Sequence, residues 1–447
     1  VGAAAVVPAC TPANAATEDL GAAGADPIPL TLAQAEAEAL RNQPALMQAR
    51  GQVEAAEGRV EQSRAGYLPQ VSGTGSYERT TANFAPRPGI TPQGTGGMSG
   101  TATQPPITWD PKFNFYQLSA TGTQLIYDFG ATSGRWRSAE AGRDAAVENR
   151  RNAELQALLG VRRAYFLARA QHDLVDVADE TVRNQEKHVE QTRAFVAAGI
   201  QPDINLATVL TALANAKLQL VTAQNNYAVS QAQLAQAMGV SVRATYALAD
   251  AELPAVPGED GPAAPLTDQA IKYRPDLANL RQQRRSQGLL VDALRGGYGP
   301  SFGGIVNVTD VGSSVYHTVP NWYFGLTLSW SIFSGGLTRG QVREARGTLE
   351  SLTGQEAATR LQVEVDVEQG RLAVQAAKAT IAAAAEAVVN AKNQLTLAEG
   401  RYTHGLGSAV ELSDAQVAYT SAEAQEVQAR FNLASARAQL LGALGAR

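Results

Sequence analysis

Glu411 and Asp414 are the residues of this 447-residue chain whose type and spacing suggest a site. They stand three apart at the start of a helical stretch and so share one face. Acids in a first turn suit the helix dipole, and that alone is a sufficient reason for them. Repeated by rotation in a symmetric oligomer, they would instead form two stacked carboxylate rings, which pass cations and repel anions. Catalytic patterns are missing. The four histidines, His172, His188, His317 and His404, have no ligand spacing such as HxxxH, and Cys10 is the only cysteine. Neither an internal disulfide nor a cysteine metal cluster can form. No Ser-His-Asp order with a GxSxG elbow occurs, and no zinc motif. Ser334-Gly335-Gly336 follows a strand and opens a helix as a phosphate loop does, but it lacks the lysine and has a twin in Asp128-Phe129-Gly130. No enzyme, cofactor or metal is expected.

Composition narrows the partners. A net charge of −5 with 18% charged residues gives no basic face for nucleic acid. Residues 1–15 read as the tail of a secretory signal, with Ala13-Asn14-Ala15 as the small-x-small cleavage site. A rival reading takes Val7-Pro8-Ala9-Cys10 as a lipobox with Cys10 lipidated. Both export the protein. No run of 18 consecutive apolar residues follows, so a membrane crossing must use strands.

A tandem duplication organises the elements that would carry the acids. Pro44, Arg50 and Tyr67 recur 231 positions later as Pro275, Arg281 and Tyr298. Gly199-Ile200 and Leu206 recur 206 positions later as Gly405-Leu406 and Leu412. The smaller shift leaves the first repeat with about 25 extra residues in a Pro/Gly/Thr-rich loop between Tyr77 and Tyr116, and such self-similarity marks a repeat architecture. Each repeat reads helix, strand, loop, strand, long helix, turn, helix. Repeat one spans 16–245, with helices at 31–65, 131–198 and 203–238 and strands at 67–79 and 113–127. Repeat two spans 266–447, with helices at 266–296, 337–404 and 408–445 and strands at 299–310 and 321–333. Residues 246–265, with four prolines, link them.

From Trp322 to Ile332 the even positions are apolar and the odd ones, Tyr323 apart, small or polar, the period of a half-buried strand. At about ten residues these strands have bilayer-crossing length. Trp109, Tyr116, Trp322 and Tyr323 are placed for an aromatic girdle. Four strands cannot close a barrel, since about eight is the practical minimum; three copies would give twelve and remove the exposed edges. The helices carry heptads: Leu206, Leu213, Leu220, Tyr227 and Leu234 in repeat one, and Leu412, Tyr419, Glu426, Leu433 and Leu440 in repeat two, flanked by alanines. That pattern packs helices closely with a left-handed sense. Helices of about 68 residues would be roughly 100 Å long, and pairs of half-length helices match them. The expected fold is mainly α with β: a trimeric twelve-stranded membrane β-barrel continuing into a helical coiled-coil barrel, which the family resemblance given below places in the outer membrane and the periplasm. A periplasmic adaptor-like or secreted coiled-coil protein is the alternative; it would have the hairpins without the duplicated strand pairs.

With Asn42-Gln43-Pro44-Ala45-Leu46, Arg274-Pro275-Asp276-Leu277 and the two turns at 198–206 and 401–412, the chain resembles the TolC-like outer-membrane efflux family over about residues 30–445. The resemblance implies a passive exit duct of a tripartite efflux pump or type I secretion system, a homotrimer in outer-membrane lipid. It implies docking to a periplasmic adaptor joined to an inner-membrane pump through the tips, at Gly199, Ile200, Gly405, Leu406 and Ser408. Glu411 and Asp414 would line the entrance constriction; their repeat-one twins, Asn205 and Thr208, are uncharged. Tyr402 matches a family tyrosine that holds the entrance closed, with Asn205 at its acidic partner's place and Gly407 where the family has an arginine. These two departures remove the charges from the latch and leave a Tyr402–Asn205 hydrogen bond as the expected contact. His404 is expected to be exposed at the tip.

Overall fold

The computed structural model describes residues 28–81, 112–242, 245–249 and 252–446. The signal reading, Cys10 and Trp109 lie outside the described residues. Helices dominate: α1 (Leu32–Asn42), α2 (Pro44–Ala65), α3 (Ala131–Ala197), α4 (Asp203–Met238), α5 (Ala263–Tyr273), α6 (Pro275–Gly296), α7 (Leu337–Thr403) and α8 (Ala409–Ala443). The stretches 31–65 and 266–296, read as single helices from sequence, are each broken. Pro44 and Pro275 open α2 and α6, and the residues before them, Gln43 and Arg274, are extended at ψ 119° and 124°. Proline excludes its predecessor from the helical region, which sets both breaks. Two short strands were not foreseen. β1 (Ile28–Leu30) pairs in parallel with β4 (Tyr246–Leu248), inside the stretch read as a linker.

α3 and α7 are 67 residues each, roughly 100 Å. α3 packs on α2 and α6 toward one end and on α4 and α8 toward the other, and α7 packs on α6 and α8. The chain is thus a wall four helices wide. The α4 heptad residues Leu206, Leu213, Leu220 and Tyr227 are half-buried, and Leu234 is buried. The α8 alanines Ala415, Ala422, Ala429, Ala436 and Ala443 are buried too. Helices α4 and α7 contain 18-residue windows apolar enough to cross a bilayer, at mean hydropathy 1.3 and 1.4. In α7 the apolar residues Val363, Val367 and Val374 form a core with Leu440 of α8.

β2 (Gln70–Thr81), β3 (Lys112–Tyr127), β5 (Ser301–Ser314) and β6 (His317–Ser329) form one antiparallel sheet in the order β2-β3-β5-β6. The registers sort its faces. Val71, Gly73 and Tyr77 lie opposite Gly122, Ala120 and Tyr116; Val308, Val306 and Phe302 lie opposite Trp322, Phe324 and Leu328. The other face is polar: Thr74 Oγ1 is 2.6 Å from Ser119 Oγ, and Asn307 Nδ2 donates to Thr121 Oγ1 at 2.8 Å. Two expectations change here. Strand β6 stops at Ser329, because its partner strand begins at Ser301, opposite Ser329. Beyond it Trp330 leaves the ladder, and its indole N–H donates to the Tyr298 carbonyl at 3.1 Å. Tyr323 pairs with Asn307 on the polar face, so it cannot share a lipid-side girdle with Trp322, its neighbour in a period-two strand. Tyr116 keeps the apolar face, its ring 4.9 Å from Tyr77.

On the face shared by α3 and α8, burial pushes the Glu423 carboxyl above its ordinary 4.5, and the charges of Glu180 and Glu426 push the same way, against the Tyr419 hydroxyl and Lys392. A carboxyl raised by folding costs stability when ionised, and the cost disappears as pH falls through the raised value toward 4.5. Glu423→Gln is therefore expected to unfold about 1–3 °C higher than the parent at neutral pH. Thermal melts across pH 7 to 4.5 should show that gap closing; a gap that widens on acidification would contradict the assignment.

Candidate functional site

The end of the wall where α3 turns into α4 and α7 into α8 gathers most of the residues singled out in the sequence. Both long helices end in the same way. Gly199 and Gly405 take φ 72° and 73°, the left-handed cap that glycine adopts without strain. The Ile200 and Leu406 amides then close back on the Phe195 and Arg401 carbonyls at 2.9 and 2.8 Å. This geometry points Ile200 and Leu406 outward, 67% and 75% exposed. Ser408 caps α8, its hydroxyl accepting from the Glu411 amide at 3.1 Å. Each tip is thus a glycine turn carrying one exposed apolar side chain.

Tyr402 is fully buried at the tip. Its hydroxyl lies 2.6 Å from Thr192 Oγ1 on α3 and donates to Gln201 Oε1 in the α3–α4 turn at 3.1 Å. Thr192 Oγ1 also lies 2.8 Å from the His188 carbonyl, so its single proton is shared between that carbonyl and the tyrosine, and Phe195 sets its ring edge-on to Tyr402 at 6.0 Å. The expected Tyr402–Asn205 contact is not made within the chain. Gln201 stands between them, and Asn205 Nδ2 reaches the same Gln201 oxygen at 3.4 Å. Asn205 sits on the first turn of α4, one step beyond the turn residue that faces the tyrosine. Thr192 and Gln201 were missed because nothing in sequence marks a threonine inside a 67-residue helix as a tyrosine partner; only helix packing brings them together.

The two acids differ. Glu411 Oε1 is 3.2 Å from Arg401 Nε, so an arginine within the same hairpin meets its charge. Asp414 is exposed and has no ion pair or hydrogen bond among the described residues. His404 caps α7 and is exposed.

Two histidines lie near carboxylates. His172 has Asp173 and Asp176 oxygens at 3.9 and 3.3 Å, but it is half exposed and Arg169 already binds Asp173 at 3.1 Å. His188, one turn before Thr192, is buried; its Nε2 lies 4.0 Å from Glu399 Oε1 on α7. Burial pushes this imidazole below its ordinary value, and Gln191 and Glu399 pull it only partly back.

The profile of the outer membrane efflux protein family matches the chain twice, over residues 37–240 and 266–446. The chain belongs to this family. Among relatives, the probable efflux pump outer membrane protein TtgC of Pseudomonas putida is 22% identical over 388 residues, 86% of this chain and 76% of its own. The antibiotic efflux pump outer membrane protein ArpC of the same organism matches to the same extent. Among solved structures, the CmeC outer membrane channel of Campylobacter jejuni superposes with a TM-score of 0.80 at 16% identity, over 93% of this chain and 85% of its own. The outer membrane protein VceC of Vibrio cholerae gives 0.79 at 17% identity, over 93% and 96%. This outer membrane efflux protein therefore has its place in the outer membrane and its task in efflux, in a family of channel proteins. The adaptor-like alternative falls with that membership.

Proposed function

We propose that three copies of the chain close into one duct, a twelve-stranded barrel leading into a twelve-helix tunnel, which serves as the passive exit of a tripartite efflux pump or type I secretion system. The observation that carries this reading is the four-stranded sheet. Among the described residues its order leaves β2 and β6 each with one unpaired edge, and one face is apolar yet exposed, with Trp322, Phe324, Leu326 and Leu328 each more than 60% exposed. Free edges and a bare apolar face are both liabilities in water, and closure within lipid removes both. In the duct Gly199, Ile200, Gly405, Leu406 and Ser408 form the tips that a periplasmic adaptor grips. Tyr402 ties the α7–α8 hairpin to the α3–α4 hairpin, with Gln201 joining it to Asn205, and holds the entrance closed. Asp414 and Glu411 ring that entrance. The names of TtgC and ArpC as efflux pump proteins support the pump assignment.

Single-channel recording in planar bilayers tests this. The parent is expected to conduct weakly and to prefer cations. Asp414→Asn is expected to lose more of that preference than Glu411→Gln, since Arg401 already offsets Glu411. Insertion and conduction with unchanged selectivity in both variants would sink the ring and spare the duct. A water-soluble monomer that never conducts would sink the duct.

A further inference from the structure

His188 is 94% buried, being only 6% exposed, and among the described residues neither of its ring nitrogens makes a hydrogen bond of normal geometry, although the Gln191 side chain lies close enough to pull its pKa up. Buried polar atoms are nearly always satisfied, so a ring with both nitrogens unmet calls for an explanation. The ring borders a recess of about 360 Å³ between α3 and α7, floored by Leu412 of α8. The walls are polar from both sides. Asn184, His188 and Gln191 follow one another on a single face of α3, and Thr396, Glu399 and Thr403 do so on α7. Elsewhere the tip packs through valine, leucine, alanine and the rings of Phe195, Tyr402 and Tyr419. Lys187 is the one cationic residue lining the recess, and Glu399 the one acid.

We propose that this recess is a binding site for a divalent transition-metal cation of the zinc class, with His188 Nε2 and the Glu399 carboxylate as its ligands and the side-chain oxygens of Gln191 and Asn184 within the same walls. The chemistry fits. Neutral imidazole and carboxylate are ligands for such ions, at about 2.0–2.2 Å each. Two ligands at a tetrahedral angle then stand about 3.4 Å apart. The observed 4.0 Å exceeds this by about 0.6 Å, and Glu399, 43% exposed at its side chain, has the freedom to close it. His172 offers a weaker alternative, because Arg169 already holds Asp173 and the ring lies half in solvent.

Position gives the site its consequence, which rests on the duct reading. His188 and Glu399 form a rung between α3 and α7 one helical turn from the Thr192–Tyr402 rung. An ion there would bind the same two helices that Tyr402 binds and hold the entrance shut.

Thermal unfolding of the untagged protein with zinc chloride tests the site without requiring conduction. Zinc is expected to raise the unfolding temperature of the parent by about 1–3 °C, and magnesium is expected not to. His188→Gln and Glu399→Gln should each abolish the shift, and His172→Gln should keep it. Glu399 lies partly in solvent, so its variant folds even if the His188 change disturbs packing. No shift in the parent, or a shift retained by Glu399→Gln, overturns the proposal. In bilayers zinc should lower the conductance of the parent and spare Glu399→Gln. A protein that shows the zinc shift but never conducts keeps the site and loses the duct; one that conducts without a zinc shift does the reverse.

Discussion

Tyr402→Ala is expected to convert a mostly closed entrance into a mostly open one. The side chain is fully buried and spans two hairpins: it is rooted on α7, and its hydroxyl meets Thr192 of α3 and Gln201 of the α3–α4 turn. Each such hydrogen bond contributes about 1 kcal/mol net, and the edge contact with Phe195 about 0.5–1.5 kcal/mol more. Together they hold the closed arrangement by about 3 kcal/mol, or roughly a hundredfold in the closed-to-open ratio. Tyr402→Phe removes the hydroxyl alone and leaves Thr192 and Gln201 facing an apolar edge. Its effect should be about thirtyfold. Recordings of open probability for the two variants check the ranking. If Tyr402→Phe opens the channel as far as Tyr402→Ala, the hydroxyl carries the whole latch; if neither opens it, the closure lies elsewhere. Asn205→Ala should change little, because Gln201 makes the direct contact.

Gly347→Leu is expected to abolish the proposed trimer while leaving the single chain folded. Gly340, Gly347 and Gly354 recur every seven residues on α7, and Gly51 and Gly58 do so on α2. A Cβ added at any of the five meets nothing within 4 Å. Inside one chain these glycines only weaken their helices, by about 1 kcal/mol each relative to alanine. They lie on faces turned away from those that α2 and α7 bury through Val53, Ala56, Val342 and Ala345. Both are the outermost helices of the wall beside the sheet's free edges. A glycine seam lets a neighbouring helix approach closely, and α7 of one copy against α2 of the next uses both seams at once. Leucine at Gly347 would hold those axes apart. Light scattering in detergent should report monomers for Gly347→Leu with unchanged helical circular dichroism, and trimers for Gly347→Ala. A leucine variant that stays trimeric would mean that the seams face elsewhere.

Much of this architecture was legible in the chain because it repeats simple periods. Alternation at Trp322–Leu328 marked a two-faced strand, and the heptads from Leu206 to Leu234 marked a packed helix. The matching Gly199-Ile200 and Gly405-Leu406 turns marked the ends of the hairpins. Those signals are local, written in residues two to seven apart, where backbone geometry leaves few choices. Proline was under-read: Pro44 and Pro275 each end a helix that amphipathic pattern alone would have continued.

What the sequence by itself determined is the inventory: two repeats of paired strands and paired helices, glycine turns at the tips, and acids placed at the start of α8. Which groups meet was decided by the tertiary structure. Thr192, Gln201 and Tyr402 are brought together across up to 210 residues of chain. Arg401 reaches Glu411 only because the α7–α8 turn folds back on itself. Periodicity fixes which face of an element is apolar, but pairings between elements depend on helix stagger and strand register, which packing sets and no local pattern encodes.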